Sequence, residues 1–357
     1  MNVIAFIVLL GFMIFVHELG HFVLAKLANI RVEEFGVGFP PRIFGIRRGE
    51  TTYTLNAIPL GGFVRMLGEE DPDAPRSFAR APKRWRFAIL VAGSTMNLVA
   101  ASIMFAAGYV GGWPTVTATR VEIFRVIAGS PADVGGLRIG DVISGLGGIS
   151  VQSTSELREI TNRYLGAPVA IALTRDSAPI DAMITPRAEW PEGEGPIGIG
   201  IIDRPARVEP IQHSGFEALI LGARETGRGV LLTLSIPVLA VRGLVPLELL
   251  RPVGPVGLFQ ATSQAAAETI RTGWWFPVLY MAGTLGAGLA VANLLPIPGL
   301  DGGRLVFVVL EALRGRRVSP RREGAIHFVG MAVLLSMVLV ITYFDVLFPV
   351  RLDFSLR

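Results

Sequence analysis

The sequence contains no cysteine, only four histidines and few charged residues, which make up 17% of its 357 positions. Without cysteine the chain has no disulfide framework, no thiolate metal ligand and no cysteine nucleophile. Any metal site must therefore be built from histidine and carboxylate side chains. Apolar residues account for 51% of the sequence. This composition is too apolar for an ordinary soluble enzyme and indicates several membrane spans together with a soluble part.

The N-terminal segment lacks the features of a cleaved signal peptide. Its first sixteen letters, MNVIAFIVLLGFMIFV, contain neither a basic leading region nor a small-residue cleavage site. The sequence therefore predicts that this segment is retained as the first transmembrane helix.

Four apolar stretches are long enough to cross a bilayer, which takes about 20 residues. They are residues 3–27, 87–110, 276–313 and 325–344. The third is overlong and contains NLLPIPGLDGG, so we expect its helix to break between Pro296 and Gly303, because proline cannot continue a helix. The apolar run 229–241 is too short to span and contains Pro237. We interpret residues 216–241 as an interfacial or re-entrant helix.

Two segments between these stretches have a different character. Residues 115–204 combine short alternating runs with one helical run, STSELREITNRYL, whose N-cap is expected to be Ser153 or Ser155, and they predict a small α+β domain. Residues 37–66 are rich in glycine, proline and β-forming residues and predict a hairpin that dips toward the membrane.

The predicted fold class is a polytopic α-helical membrane protein with about four transmembrane helices. An extracytoplasmic α+β domain is inserted between two membrane halves, and a small cytoplasmic β-hairpin is associated with the membrane. The predicted boundaries are 1–114 for the first membrane half, 115–204 for the inserted domain and 205–357 for the second membrane half.

Many of the arginines fall in two loops, residues 29–86 and 314–322. Cytoplasmic loops of membrane proteins carry an excess of Lys and Arg, so both loops are expected to be cytoplasmic. The N-terminus, the α+β domain and the C-terminus then lie outside the cytoplasm. The net charge of +4 is explained by this bias, and we expect no nucleic-acid partner.

The letters HELGH, residues 17–21, form an H-E-x-x-H motif inside the first predicted span. On an α-helix His17 and His21 lie one turn apart on nearly the same face and can chelate one metal ion. Glu18 lies beside that face, where its carboxylate can act as a catalytic base. The alternative is a pair of histidines that face a helix bundle without a metal. The position of the motif inside a predicted span disfavours that alternative. Burying an ionisable residue in a spanning helix costs free energy, so such a residue indicates a function.

A zinc site needs a third protein ligand, and the best candidate is Asp301 in NLLPIPGLDGG. Where Pro296 and Pro298 break the helix, a carboxylate can turn toward a cavity. The alternative is that Asp301 only caps the next helix. Asn293 could bind the substrate backbone or stabilise an oxyanion, and a helix-to-helix hydrogen bond is equally compatible with its position. The other two histidines have no partner in the sequence and are assigned no role.

These motifs together resemble the site-2 protease family of intramembrane zinc metalloproteases, and within it the bacterial regulator-of-sigma-E proteases. The segments that carry the resemblance follow the family's order over nearly the whole chain: HELGH, AIPLGGFVRMLGE, RFAILVAGSTMNLVA, RPVGPVG and NLLPIPGLDGG. The resemblance implies one Zn²⁺ per chain, bound by His17, His21 and Asp301. It also implies that Glu18 is the catalytic base or acid.

The resemblance has further implications for the other segments. Residues 115–204, with the signature SPADVGGLRIGDVI, resemble an extracytoplasmic PDZ domain that binds a peptide or protein ligand. Residues 37–66 resemble a membrane-dipping β-loop that pairs with substrate as an added strand. The chain departs from the family at three points: it has one PDZ-like segment where the best-known relatives have two, Ser94 where proline is expected, and Gly288 where some relatives have asparagine.

Relatives of this kind lie in the bacterial inner membrane and cleave single-span membrane proteins that another protease has already trimmed. Typical substrates are anti-sigma factors, and some relatives clear remnant signal peptides. The same partners and the same location, in contact with the lipid bilayer, are expected here.

Two other functions remain open at this point. A membrane-bound PDZ adaptor with a vestigial or structural metal site would be marked by a fourth protein ligand, and the sequence offers no obvious one. A metal transporter would need a continuous polar path, and the second and fourth predicted spans contain almost no ionisable groups to build it.

Overall fold

A computed structural model describes residues 2–68, 74–244, 252–352 and 354. The chain forms two compact units. The first consists of Met1–Trp113 and Gln212–Phe354, and the second is built on Pro114–Ile211. The predicted domain boundaries 115–204 fall inside the second unit. Of the segments quoted above, Arg251 of RPVGPVG and Glu69 of AIPLGGFVRMLGE lie outside the described residues.

The elements follow one another along the chain in a fixed order. They are α1 (Asn2–Leu27), β1 (Val32–Arg48), β2 (Thr51–Met66), α2 (Lys83–Gly112), β3 (Trp113–Val126), α3 (Pro131–Val134), β4 (Val142–Leu146), β5 (Ile149–Ser150), α4 (Thr154–Thr161), β6 (Val169–Arg175), β7 (Ala178–Ile184), β8 (Ile199–Ile211), α5 (Gly215–Val241), α6 (Pro255–Thr272), α7 (Phe276–Leu294), α8 (Asp301–Arg314) and α9 (Pro320–Leu347).

Four helices among the described residues are long and apolar enough to cross a membrane, as predicted. They cover Val3–Leu27, Lys83–Gly112, Phe276–Leu294 and Arg321–Leu347. The overlong third stretch is divided as expected, because α7 ends at Leu294 and α8 begins at Asp301. Helix α5 continues through Pro237 without interruption and is not one of these four helices.

The helices of the first unit approach closely where residues are small. A Cβ atom added to Gly20 of α1 would lie 2.5 Å from the carbonyl oxygen of Ala92 in α2. A Cβ atom added to Gly222 of α5 would lie 2.4 Å from the carbonyl oxygen of Ser102 in α2. Helix α2 therefore packs on both neighbours through backbone contacts, as is common between helices in membranes.

The predicted hairpin is present and is longer than residues 37–66. Strands β1 and β2 pair antiparallel from Val32 to Met66. Glu50, at the turn, accepts hydrogen bonds of 2.7 Å from Arg76 and from Lys26 near the end of α1. These bonds, from Arg76 first and Lys26 second, lower the pKa of Glu50 to about 2. The hairpin turn is therefore held against the end of α1 by a carboxylate that is charged at neutral pH.

The second unit is a sheet with strand order β7-β6-β4-β3-β8, with β5 paired to β4. Its core is made of buried aliphatic side chains of the strands and α4, including Ile123, Leu157 and Ile171. Of the two candidate caps of α4, Ser153 is the N-cap, and its hydroxyl accepts a hydrogen bond from the Glu156 backbone N–H. The α+β composition predicted for this segment is confirmed.

The letters GGLRIGD form the turn from α3 to β4. Gly136 and Gly140 both have positive φ, +74° and +93°, which other residues adopt with strain. The turn delivers Asp141 to a fully buried position. There Asp141 accepts hydrogen bonds of 2.7 and 2.8 Å from the Arg175 guanidinium and one of 2.7 Å from the Arg138 backbone N–H. Burial alone would raise the pKa of Asp141, but these bonds outweigh burial and lower it.

Replacing Asp141 by alanine is expected to destabilise the second unit by about 3 kcal/mol, because three hydrogen bonds to a buried carboxylate are lost. Since the folded-state pKa is lowered, this stabilisation is present above the ordinary carboxyl pKa of about 4 and is lost as the pH falls below it. Hydrogen exchange of β4 and β6 amides in the full chain at pH 7, followed by mass spectrometry, measures the change. The control is Glu159→Gln, which removes an exposed pair with Arg163 and should change stability by less than about 1 kcal/mol. Unchanged exchange in Asp141→Ala would contradict the prediction.

Candidate metal centre

Three side chains from the two ends of the sequence converge in the first unit. His17 and His21 of α1 are buried, and their Nε2 atoms lie 3.0 Å apart. The Oδ2 atom of Asp301 lies 3.0 Å from His17 Nε2 and 3.2 Å from His21 Nε2. The structure thus brings together the three residues that were predicted from the sequence as candidate metal ligands.

The arrangement fits a zinc ion. Ligand atoms about 2.05 Å from a tetrahedral zinc ion are about 3.3 Å apart, close to the observed separations of 3.0 to 3.2 Å. Two histidines and one carboxylate leave a fourth position open, as in catalytic rather than structural zinc sites. Within the described part of the chain, no other histidine, aspartate or glutamate joins this cluster.

Helix α2 shapes the space for the two imidazoles. A Cβ atom at Gly93 would lie 2.4 Å from His21 Nε2 and 2.6 Å from His17 Nε2. Only glycine therefore fits at this position. One turn earlier, the carbonyl oxygen of Ile89 lies 2.7 Å from His21 Nδ1. A carbonyl can only accept, so Nδ1 carries the proton and Nε2 is left with a lone pair toward the cluster.

Asp301 reaches the cluster because the chain breaks between α7 and α8. Asp301 is the first residue of α8, and the N-cap is Leu300, which makes no side-chain cap hydrogen bond. The two glycines that follow allow a tight fold-back, since a Cβ atom at Gly302 would lie 2.1 Å from the Leu295 carbonyl oxygen. The DGG sequence therefore packs the start of α8 against the segment that precedes it.

Helix α9 holds the same segment from the other side. The backbone N–H of Gly299 donates a 2.9 Å hydrogen bond to His327 Nδ1. A Cβ atom at Gly330 would lie 2.3 Å from the Pro298 carbonyl oxygen. His327, to which the sequence assigned no role, therefore positions the loop that carries Asp301. His213 is paired elsewhere, with Nδ1 3.1 Å from Glu217 Oε1.

Two cavities adjoin the cluster. One has a volume of about 200 Å³ and is lined by residues that include Glu18, Asn97 and Asn293. The other has a volume of about 260 Å³ and is lined by Glu18 together with residues of β2. Strand β2 passes directly beside Glu18, because a Cβ atom at Gly62 would lie 3.2 Å from Glu18 Cγ. Both residues expected from sequence to act on substrate, Glu18 and Asn293, therefore face open space next to the cluster.

Sequence reasoning missed the contribution of α2. The segment RFAILVAGSTMNLVA carries only the family resemblance in the sequence analysis, whereas Gly93 and Asn97 lie four residues apart on the face of α2 that meets the histidines. That spacing is the available signal, because a glycine and an amide at i and i+4 share one face of a spanning helix.

Comparison with known proteins agrees with this geometry. The sequence profile described as Peptidase family M50 matches residues 5–337. The chain belongs to peptidase family M50. A putative zinc metalloprotease of Clostridium acetobutylicum is 31% identical over 353 residues, which cover 98% of each chain. The regulator of sigma-W protease RasP of Bacillus subtilis is 28% identical over 431 aligned residues, which cover 97% of this chain and 98% of the relative.

A solved structure also matches part of this M50 protein. The PDZ domain of an SdrC-like protein from Listeria monocytogenes is 27% identical, with 25% of this chain and 93% of that chain covered and a TM-score of 0.22.

Membership of family M50 confirms the predicted resemblance. The protein is a membrane zinc metalloprotease of the site-2 type that acts in regulated intramembrane proteolysis.

Proposed function

We propose that this M50 protease binds one Zn²⁺ per chain through His17, His21 and Asp301. We further propose that it hydrolyses peptide bonds within or beside the transmembrane segment of single-span membrane proteins. The observation that carries the proposal is the convergence of three ligand atoms within 3.2 Å of one another, next to cavities lined by Glu18.

The zinc ion, when bound, supplies a Lewis acid that polarises a peptide carbonyl and makes water acidic. The protein's own groups supply orientation and proton transfer. The Glu18 carboxylate accepts a proton from the attacking water and donates it to the departing amine. The Asn293 amide is placed to donate a hydrogen bond to the substrate backbone. His17 and His21 are themselves buried, and the cavities beside Glu18 leave room for the attacking water and the substrate.

Substrate must reach this site as an extended chain. A transmembrane helix bonds its own carbonyl groups internally, so no peptide bond is open to attack until the helix unwinds. Residues 52–55 of β2 pair with β1 on both sides, whereas the segment 62–66, next to Glu18, pairs with β1 on one side only among the described residues. Its second edge can accept an unwound substrate segment as a third strand beside Glu18, which would replace the hydrogen bonds that the substrate helix has lost.

The arginine-rich loops support a cytoplasmic site in a bacterial inner membrane. Both loops meet at one end of the first unit, where Arg86 lies 2.6 Å from Glu311 and Arg317 donates to the Ala79 carbonyl oxygen. Under the positive-inside rule that end is cytoplasmic. His17 lies roughly 15 Å along α1 from Leu27 at that end, at 1.5 Å per residue. The second unit and α5, as an interfacial helix, are proposed to lie on the opposite side.

We propose that the second unit is a PDZ domain with a peptide or protein ligand. A cavity of about 460 Å³ beside α4 and the start of β8, lined in part by Leu157, Trp190 and Ile199, would receive an apolar peptide end. The name of the relative RasP, regulator of sigma-W protease, supports an anti-sigma factor, trimmed beforehand by another protease, as the substrate class. Remnant signal peptides are the second substrate class proposed.

The test uses the purified full chain in detergent. Zinc analysis should give one ion per chain for the wild type and less than about 0.1 for Asp301→Ala, which removes a ligand. A single-span reporter truncated on its extracytoplasmic side should be cut within its span by the wild type alone. A zinc-free wild type, or cleavage by Asp301→Ala at the wild-type rate, would refute the proposed site. A zinc-bound wild type that leaves the reporter intact would favour the alternative function, a membrane PDZ adaptor.

A further inference from the structure

Asn97 is a fully buried amide on the face of α2 that meets the histidines. Its side-chain amide lies 3.4 Å from His17 Nδ1, measured to Nδ2. Its Oδ1 atom is buried and is engaged by no donor among the residues that the structure describes. Asn97 Oδ1 is therefore available to accept a hydrogen bond.

The position of His17 decides which amide atom faces it. His17 Nε2 lies 3.0 Å from both His21 Nε2 and Asp301 Oδ2, so Nε2 is the atom that would bind a metal ion. A neutral imidazole that ligates through Nε2 carries its proton on Nδ1 and needs an acceptor there. The oxygen and nitrogen of an asparagine amide exchange places on a 180° rotation, and their assignment follows from the hydrogen-bond network. Only the orientation with Oδ1 toward His17 satisfies that proton.

We infer that Asn97 is a positioning residue of the zinc site, whose Oδ1 accepts the Nδ1–H of His17 and fixes the imidazole with its Nε2 lone pair toward the metal. This inference rests on the proposed zinc site. The Ile89 carbonyl oxygen has the same role for His21, because it accepts the Nδ1–H of that imidazole at 2.7 Å. Ile89, Gly93 and Asn97 are spaced four residues apart, so one face of α2 presents an acceptor, a space and a second acceptor.

The arrangement explains why the amide belongs on α2 rather than on α1. The histidines, four residues apart on α1, direct Nε2 to a common point, so their Nδ1 atoms need acceptors supplied from a neighbouring helix. In hydrocarbon an N–H group without an acceptor is costly, since no water is present to replace the partner. Both acceptors therefore orient the imidazole ligands. Loss of either acceptor should lower zinc affinity although all three ligands are still present.

The test measures zinc affinity by chelator competition in the detergent-purified full chain. Asn97→Leu keeps the side-chain size but removes the acceptor, and zinc affinity should fall by about 10- to 100-fold, as is typical for lost second-sphere partners. Asn97→Asp keeps the shape and can only accept, so its affinity should equal or exceed that of the wild type. Samples in which Co²⁺ replaces zinc give a second readout, because a reoriented His17 changes the visible absorption of the bound cobalt.

Ser94→Ala is the matched control. Ser94 is fully buried on α2, three residues before Asn97, and its hydroxyl has no hydrogen-bond partner among the described residues. Its removal should leave zinc affinity unchanged. An Asn97→Leu protein with wild-type affinity overturns the inference, and so does an Asn97→Asp protein that binds zinc more weakly than the wild type. If Asn97→Leu does not fold, the Asn97→Asp measurement alone decides. A wild type without zinc would instead refute the proposed function itself.

Discussion

Glu18→Gln is expected to lower the rate of substrate cleavage by a factor of about 10² to 10⁴, the usual contribution of a positioned general base. The amide cannot accept a proton from water, and it cannot return one to the leaving amine. Zinc content should stay at the wild-type value, because Glu18 is not among the three ligand residues. Loss of activity with retained metal would separate proton transfer from metal binding.

Cleavage of a single-span reporter in liposomes, together with zinc analysis of the same preparation, measures both quantities. Glu217→Gln is the matched control, since it makes the same change in charge and size at an exposed residue that contacts His213. That control should cleave at the wild-type rate. A Glu18→Gln protein as active as Glu217→Gln would show that another group transfers the proton.

Gly93→Ala is expected to abolish zinc binding and, with it, cleavage. The added methyl group would lie 2.4 Å from His21 Nε2 and 2.6 Å from His17 Nε2, well inside van der Waals contact. Overpacking costs typically about 1–3 kcal/mol even where a core can adjust. Here the atoms that must move are the metal-binding nitrogens themselves, so the adjustment destroys the site. We expect less than about 0.1 zinc ion per chain.

Gly111→Ala provides the control for this prediction. Gly111 lies on the same helix, and a Cβ atom there would meet nothing within 4 Å. Replacing glycine by alanine stabilises a helix by about 1 kcal/mol in both variants. The contrast between them is therefore the steric clash of the Gly93→Ala methyl group with the two histidines. Zinc analysis and thermal unfolding of both variants should show a folded Gly111→Ala protein with zinc and a folded Gly93→Ala protein without it. Full zinc in Gly93→Ala would mean that α2 does not set the position of the histidines.

Much of the fold could be predicted because each signal was local. Long apolar stretches marked the four spans, and prolines marked the end of α7. The histidines of α1 were recognisable because four residues of helix return to nearly the same face. The hairpin was predicted too short, because its β1 strand begins at Val32, in a stretch that also carries Glu33 and Glu34 and lacks the glycine and proline pattern.

The support around the ligands could not be predicted in the same way. The spacing within α2 shows only that Gly93 and Asn97 share a face; whether Asn97 meets His17 depends on how α1 and α2 pack, with their close backbone approach at Gly20. The contact of His327 with Gly299 depends in turn on where α9 returns to the bundle. Such contacts arise from tertiary packing between distant segments, so a single sequence names the residue types without pairing them.

The separation of the ligands along the chain has a consequence for biosynthesis. His17 enters the membrane with the first helix, whereas Asp301 is made 284 residues later, after the whole second unit has been synthesised. A nascent chain therefore holds two histidines without their carboxylate partner and has no complete ligand set. Proteolytic activity can begin only after Asp301 has left the ribosome, so neighbouring membrane proteins are not exposed to an active chain before that point.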